Sequence, residues 1–243
     1  MKLIIDLGNT LTKFYVFNKK SCLNSIVHEA IPDSSYIKDL FHSHGPFESA
    51  VIASVVNQHH ILNDTIQQHC PLLTVDHTTP LPISIRYLTP SSLGVDRIAA
   101  AVAGHTHFPD NNVLIIDTGS CITYDFITNN GEYLGGAIAP GLNMQLKALH
   151  NFTAHLPLIT LAPDTPLTGR STEEAILSGT VNHTIAAMQH TISYYRNKYK
   201  DLKIILSGGD RIFFDKQLKI SIFAFPNIVA TGLNEILDFN EKL

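Results

Sequence analysis

Two short segments carry residue types that can hold a phosphate chain. Ile4-Ile5-Asp6-Leu7-Gly8 recurs as Ile115-Ile116-Asp117-Thr118-Gly119, each at the end of a β-branched run and before a second strand-like stretch. In the first copy Gly8-Asn9-Thr10 leads into Lys13 to Phe17, and in the second Gly119-Ser120 leads into Ile122 to Ile127. A glycine turn offers backbone N–H groups to phosphate oxygens, hydroxyls add donors, and the strand-end carboxylate holds a cation that offsets the phosphate charge. A single Asp-x-Gly is also an ordinary hairpin turn. Two copies at matching places in two similar halves predict turns that face each other and clasp a nucleotide between two domains.

The elements between the copies follow an α/β order. Helical patterning at Ser34 to Ser43 and Ile61 to His69 alternates with strands at Ala50 to Val56 and Leu72 to Val75. A proline-rich stretch from Thr79 to Pro90 precedes Gly94-Val95-Asp96-Arg97 and the Ala-rich run Ile98 to Gly104, which reads as a close-packing helix. His105 to Asn112 is the best linker, giving a boundary between residues 1–110 and 111–243. Beyond it, a Gly-rich strand covers Glu132 to Ala139, helices cover Leu142 to Leu149 and Thr172 to Tyr199, a strand covers Lys203 to Leu206, and Leu233 to Leu243 closes as a helix.

Composition narrows the function. With 17 Lys+Arg against 21 Asp+Glu, the formal charge of −4 lacks the concentrated positive charge that nucleic-acid binding needs. No apolar run approaches a membrane span and no export signal is visible, so neither a membrane nor secretion is expected. Cys22, Cys70 and Cys121 are odd in number and widely spaced, which suits a reducing cytoplasm, and the scattered histidines form no zinc pattern.

Asp6-Leu7-Gly8-Asn9-Thr10, Gly94-Val95-Asp96-Arg97, Asp117-Thr118-Gly119-Ser120 and the glycine-rich run Gly135 to Gly141 occur in the order seen in type III pantothenate kinases. The chain resembles that family, of the acetate kinase/sugar kinase/Hsp70/actin superfamily, from Asp6 through Ser207-Gly208-Gly209. The resemblance implies two ribonuclease H-like domains with mixed five-stranded sheets, an actin-like ATPase duplication. It also implies transfer of the ATP γ-phosphate to the primary hydroxyl of pantothenate, the first step of coenzyme A biosynthesis. Asp6, Leu7, Gly8, Asn9, Thr10, Leu11, Thr12 and Lys13 then resemble the first phosphate-binding hairpin, and Ser120 the second-turn ATP contact. Asp117 looks like the ligand of a monovalent cation, K⁺ or NH₄⁺, with Mg²⁺ arriving on ATP. Asp96 looks like the catalytic base, with Tyr87, Gly94, Val95 and Arg97 as the rest of the pantothenate pocket. Thr172 looks like a substrate contact lent across a homodimer.

On the residues alone other readings stand beside these. Asp96 is equally placed to cap the helix after it, and Ser171 with Glu174 has capping-box spacing that makes Thr172 a first-turn residue. Tyr87 sits where an aromatic packs, and Ser207-Gly208-Gly209 reads as a strand-ending turn or an adenosine contact. Ser120 stands where the family usually has Thr and Cys121 where it has Ala; a hydroxyl and a small side chain preserve the turn. Ser171 likewise replaces the usual Asn before Thr172. The other activities consistent with the fold are a different small-molecule kinase, a phosphohydrolase, and a non-enzymatic transcriptional accessory factor. The last would be expected to lose Asp6, Asp96 and Asp117, all of which are present.

Overall fold

The computed structural model describes residues 1–8, 11–29, 31–54, 60–218 and 220–243. Its first half runs β1 (Lys2–Leu7), β2 (Thr12–Asn18), β3 (Ser21–His28), α1 (Ser34–His44), β4 (Ser49–Ser54), α2 (His60–Gln67), β5 (Leu72–Thr74), β6 (Ser84–Ile85) and α3 (Val95–His107). The second continues with β7 (Val113–Thr118), β8 (Cys121–Ile127), β9 (Glu132–Pro140), α4 (Leu142–Asn151), α5 (Thr172–Lys198), β10 (Lys203–Gly208), α6 (Arg211–Leu218), β11 (Phe223–Ala224) and α7 (Ile228–Asn240).

The duplication seen in the sequence is a duplication of topology. One sheet has the order β3-β2-β1-β4-β5, and the other contains β9-β8-β7-β10-β11, so each central strand pairs antiparallel with its hairpin partner and parallel with the strand after the crossover. Both sheets are mixed, as expected, but the second has six strands rather than five. The extra strand, β6, is a two-residue segment of the proline-rich stretch that pairs in parallel with Glu132 and Tyr133 on the edge of β9.

Strand alternation divides the core into layers. From β1, Leu3, Ile5 and Leu7 pack outward with α1 and α2, while Ile4 joins the central core. From β7, Leu114 and Ile116 pack outward with Met188 and Ile192 of α5, while Val113 and Ile115 face the centre. Between the sheets lie α3 and α7. Their close approach depends on small residues: a Cβ on Gly232 would lie 1.7 Å from the Ala99 carbonyl oxygen. At the end of the chain, α7 packs back onto β1 and β4 of the first sheet.

Several boundaries differ from the sequence expectation. The Ala-rich helix starts at Val95 and runs to His107, taking in the first three residues of the expected linker: Val95 and Arg97 are buried and extend its packed face at the start, while Thr106 and His107 are exposed and continue it as a solvent-facing last turn. The closing helix begins at Ile228, five residues before Leu233, where Ile228 and Ala230 enter the central core. The strands β3 and β11 and helix α6 were not expected. Val55 and Val56, the end of an expected strand, and His59 lie outside the described residues. Among the described residues no helix is long and apolar enough to cross a membrane, and the three cysteines are unpaired.

Candidate active site

Asp6 is the penultimate residue of β1 and stands opposite Lys13, with Leu7 opposite Thr12 and the turn closed by Gly8 N–H donating to Leu11 O at 3.1 Å. Asp117 is the penultimate residue of β7 and stands opposite Thr123, with Thr118 opposite Ile122 and the turn closed by Gly119 N–H donating to Cys121 O at 2.9 Å. Each carboxylate lies two residues after a central-core residue, Ile4 or Ile115, and so projects from the same face of its sheet, beyond the apolar layer. Burial of that layer therefore directs both carboxylates into the space between the sheets. A third comes from the first turn of α3, where Asp96 follows the Gly94 N-cap.

These three carboxylates line one cavity of about 200 Å³, together with Lys13, Ser120 and Gly208. A neighbouring cavity of about 280 Å³ shares Asp6, Lys13, Asp117, Gly208 and Gly209, and extends to Tyr15, Arg211 and Asn227. Burial pushes Asp6 up to about 6, Lys13 opposes the shift, and the charges of Asp96 and Asp117 add to it. Burial likewise pushes Asp117 up to about 6, with Lys13 opposing and Asp96 and Asp125 adding. The Lys13 ammonium lies 3.8 Å from an Asp6 carboxylate oxygen, so one cation faces three carboxylates. Such an excess of buried negative charge fits a bound cation. Among the described residues no three His, Cys, Asp or Glu side chains converge on one metal position, so a cation bound here would take its other ligands from backbone, water or substrate oxygens.

Gly208, at the end of β10, is a backbone requirement of this site. It has φ +92°, and a Cβ there would lie 2.0 Å from Thr118 O and 2.6 Å from an Asp117 carboxylate oxygen. The turn it makes packs directly on the second hairpin, where Thr118 Oγ1 donates to Ser207 O at 2.7 Å and Asp210 N–H to Thr118 O at 3.1 Å.

The family model for type III pantothenate kinase matches residues 2–194. A type III pantothenate kinase of Christiangramia forsetii is 42% identical over 241 residues, covering 99% of each chain. One from Bacteroides fragilis is 39% identical over 99% of this chain and 98% of its own. This chain belongs to the type III pantothenate kinase family. It is a kinase, and the regulator and phosphohydrolase alternatives give way to that reading. Solved structures add the fold: a protein described as a conserved putative Baf family transcriptional activator from Campylobacter jejuni aligns with TM-score 0.63 at 21% identity, covering 99% of this chain and 100% of that one. A glucokinase of the ROK family from Streptomyces griseus, in complex with glucose and AMPPNP, aligns with TM-score 0.51 at 12% identity, covering 100% and 99%. At those identities the likeness is one of fold.

Of the residues that resemblance to the pantothenate kinases singled out, Asp6, Gly8, Lys13, Asp96, Asp117 and Ser120 line the first cavity and Leu11 the second. Asn9 and Thr10 lie outside the described residues. Leu7 and Thr12 are buried, so their side chains belong to the core and only their backbone is available to a ligand. Gly94 and Val95 form the start of α3 beneath Asp96. Arg97 points away from the cavity into a buried ion pair with Asp125, and Tyr87 packs over its guanidinium and against Tyr133. Thr172 is exposed at the start of α5, behind the Ser171 cap, whose hydroxyl oxygen accepts Glu174 N–H at 3.1 Å. Thr172 does not line either cavity of its own chain.

Sequence reasoning did not single out Thr123, Asp125 or Arg211. A charged residue inside the apolar run Ile122 to Ile127 was the available sign for Asp125. Arg211 carried no comparable sign, since it follows a glycine turn in an otherwise unremarkable segment.

Proposed function

We propose that MgATP binds between residues 1–110 and 111–243 and that its γ-phosphate passes to the primary hydroxyl of pantothenate, giving 4'-phosphopantothenate for coenzyme A biosynthesis. The observation that carries this reading is the meeting of Asp6, Asp96 and Asp117 in one cavity at the tips of two register-matched hairpins. The hairpin turns offer N–H groups to the phosphates, and Lys13 and Ser120 add donors. Asp96 aligns the pantothenate hydroxyl and takes its proton as the new O–P bond forms and the bond from the γ-phosphorus to the β,γ-bridging oxygen breaks, releasing ADP. Because phosphoryl transfer relies mainly on positioning and charge stabilisation, an ordinary carboxylate suffices as the base.

Asp117 would hold a monovalent cation, K⁺ or NH₄⁺, Asp6 lines the same cavity as part of the ATP site, and Mg²⁺ would arrive with ATP. Bound there, the two cations supply charge compensation for the transferring phosphoryl group. Gly94, Val95, Arg97 and Tyr87 shape the pantothenate side. The enzyme works as a cytoplasmic homodimer in which Thr172 reaches the partner's substrate. Support for the dimer comes from Phe152, Leu158 and Leu167, exposed apolar side chains between α4 and α5 close in sequence to Thr172.

A coupled ADP-release assay with MgATP and K⁺, run with and without pantothenate, tests the reaction. Pantothenate-dependent ADP release that disappears in Asp96→Asn is expected, and exchange of K⁺ for Na⁺ is expected to lower the rate. ADP release independent of pantothenate would point to a hydrolase, and an unchanged rate in Na⁺ would remove the monovalent cation from Asp117.

A further inference from the structure

The first turn of α3 is fastened to the second sheet by a buried ion pair. Arg97 Nε donates to Asp125 Oδ1 at 2.8 Å, Arg97 Nη2 lies 2.7 Å from the same oxygen, and Tyr133 Oη donates to it at 2.7 Å. Asp125 and Tyr133 are fully buried, and Arg97 is 6% exposed. The Tyr87 ring lies over the guanidinium, with its centroid 5.9 Å from Cζ. Burying two charges is costly, and an apolar pair of similar volume often stabilises a core as well or better. Stability alone therefore accounts poorly for a charged pair at this place.

What the pair supplies and an apolar pair does not is direction. Asp96 and Arg97 are consecutive, and successive helical side chains diverge by about 100° around the axis. One enters the cavity while the other enters the protein. With the guanidinium fixed on β8 by two nitrogens, the first turn of α3 cannot roll about its axis, and a roll is the motion that would swing Asp96 out of line. The Arg97 N–H also donates to Asp96 Oδ1 at 2.9 Å, tying the carboxylate to the residue that is anchored. Thr123, two residues before Asp125 on the same face of β8, lines the cavity, so anchor and cavity wall are parts of one strand.

We propose that Asp125 is a positioning residue for phosphoryl transfer, acting through Arg97 to hold Asp96 on the acceptor hydroxyl. This inference rests on the reading of Asp96 as the base. It assigns Arg97 a role as a strut in addition to any contact with substrate.

The test uses the full-length protein and normalises each rate to MgATP-binding sites counted by calorimetry, so that unfolded protein does not enter the comparison. In Asp125→Asn, kcat per site is expected to fall by about tenfold or more, as misplacement of a catalytic group by a fraction of an ångström to an ångström requires, while KM for MgATP stays within about twofold. Wild-type kcat per site in that variant, or a loss matched by an equal rise in KM for MgATP, would overturn the inference. If Asp125→Asn binds no MgATP, Tyr133→Phe decides: it removes one donor to Asp125 and keeps the ring. A severalfold lower kcat at unchanged KM for MgATP is then expected, and a wild-type kcat would refute the strut. Absence of pantothenate-dependent ADP release in the wild-type protein would instead bring down the kinase reading and this inference with it.

Discussion

Asp6 and Asp117 occupy equivalent places in two hairpins that enclose different turns. Each is the penultimate residue of the central strand of its sheet, but the first turn spans residues 8–11 and the second residues 119–121. Their cross-strand partners differ as well, Lys13 for Asp6 and Thr123 for Asp117. The two halves thus bring the same carboxylate to the same cleft and then diverge in what stands beside it. Lys13 stands directly across from Asp6, yet its charge opposes the upward shift of both carboxylates, so one ammonium serves the two hairpins.

Asp6 should oppose folding stability and support function. Its folded-state pKa, about 6, lies above the ordinary 3.8, so stability from this group is full below pH 3.8 and is lost as pH rises through about 6. Asp6→Asn is therefore expected to raise the melting temperature at pH 7.5, by an amount equivalent to about 3 kcal/mol, with the gain shrinking as pH approaches 4. Kinase activity should fall in the same variant, and in the wild type as pH drops through about 6. Thermal melts at pH 7.5 and 4.5 check this; equal gains at both pH values would show that the carboxylate is not strained by burial.

Asp96→Asn keeps the shape of the side chain and removes its proton-accepting capacity. Loss of a positioned general base costs about 10²–10⁴ in rate. The expected outcome is a fall in kcat of that size with MgATP binding and melting temperature close to wild type. Near-normal turnover would take Asp96 out of the mechanism and leave it as part of the helix start, where its Oδ1 accepts the Arg97 N–H.

The repeat of Asp-x-Gly at strand ends made the two hairpins legible, because each follows a continuous apolar run, Leu3 to Ile5 and Val113 to Ile116, which reads as a strand buried on both faces. The Ala-rich character of Ile98 to Gly104 likewise announced the helix that packs closely. Elements held by backbone pairing rather than by apolar side chains were harder to read. β3 is polar and largely exposed along Ser21 to Ser25, and β6 is two residues on a sheet edge. The start of α7, Ile228-Val229-Ala230-Thr231, has the β-branched content of a strand, and burial in the central core overrides that preference. At the site, the family motif brought Arg97 forward as a substrate contact. Its main partner lies on β8 of the second sheet, 28 residues away in sequence, and only the fold reveals it.

Gly208→Ala tests whether the turn after β10 is built to the shape of the second hairpin. The added Cβ would meet Thr118 O and the Asp117 carboxylate at a φ that disfavours any side chain. A stability loss of about 1–3 kcal/mol is expected from the backbone conformation and the displaced turn. KM for MgATP should rise more than KM for pantothenate, since the turn lines both cavities that flank Asp117. Steady-state kinetics with each substrate varied in turn separates the two; a pure loss of melting temperature with unchanged KM values would confine Gly208 to a folding role.

Thr172 supplies the sharpest test of a shared site. It is exposed and lines neither of the two cavities around Asp117 in its own chain, so the proposed contact with pantothenate would come from a second copy of the protein. Thr172→Ala should raise KM for pantothenate by about tenfold, the worth of one well-formed hydrogen bond, and leave KM for MgATP unchanged. Mixing this variant with Asp96→Asn after dissociation and reassociation distinguishes the two arrangements. In a mixed dimer with sharing between subunits, one site combines the intact Asp96 of one chain with the intact Thr172 of the other and regains wild-type affinity for pantothenate. The other site carries both defects and is silent. If Thr172 acts within its own chain, no site in the mixture contains both intact residues, and KM stays at the Thr172→Ala value. Analytical ultracentrifugation of the same samples establishes whether a dimer is present at the assay concentration.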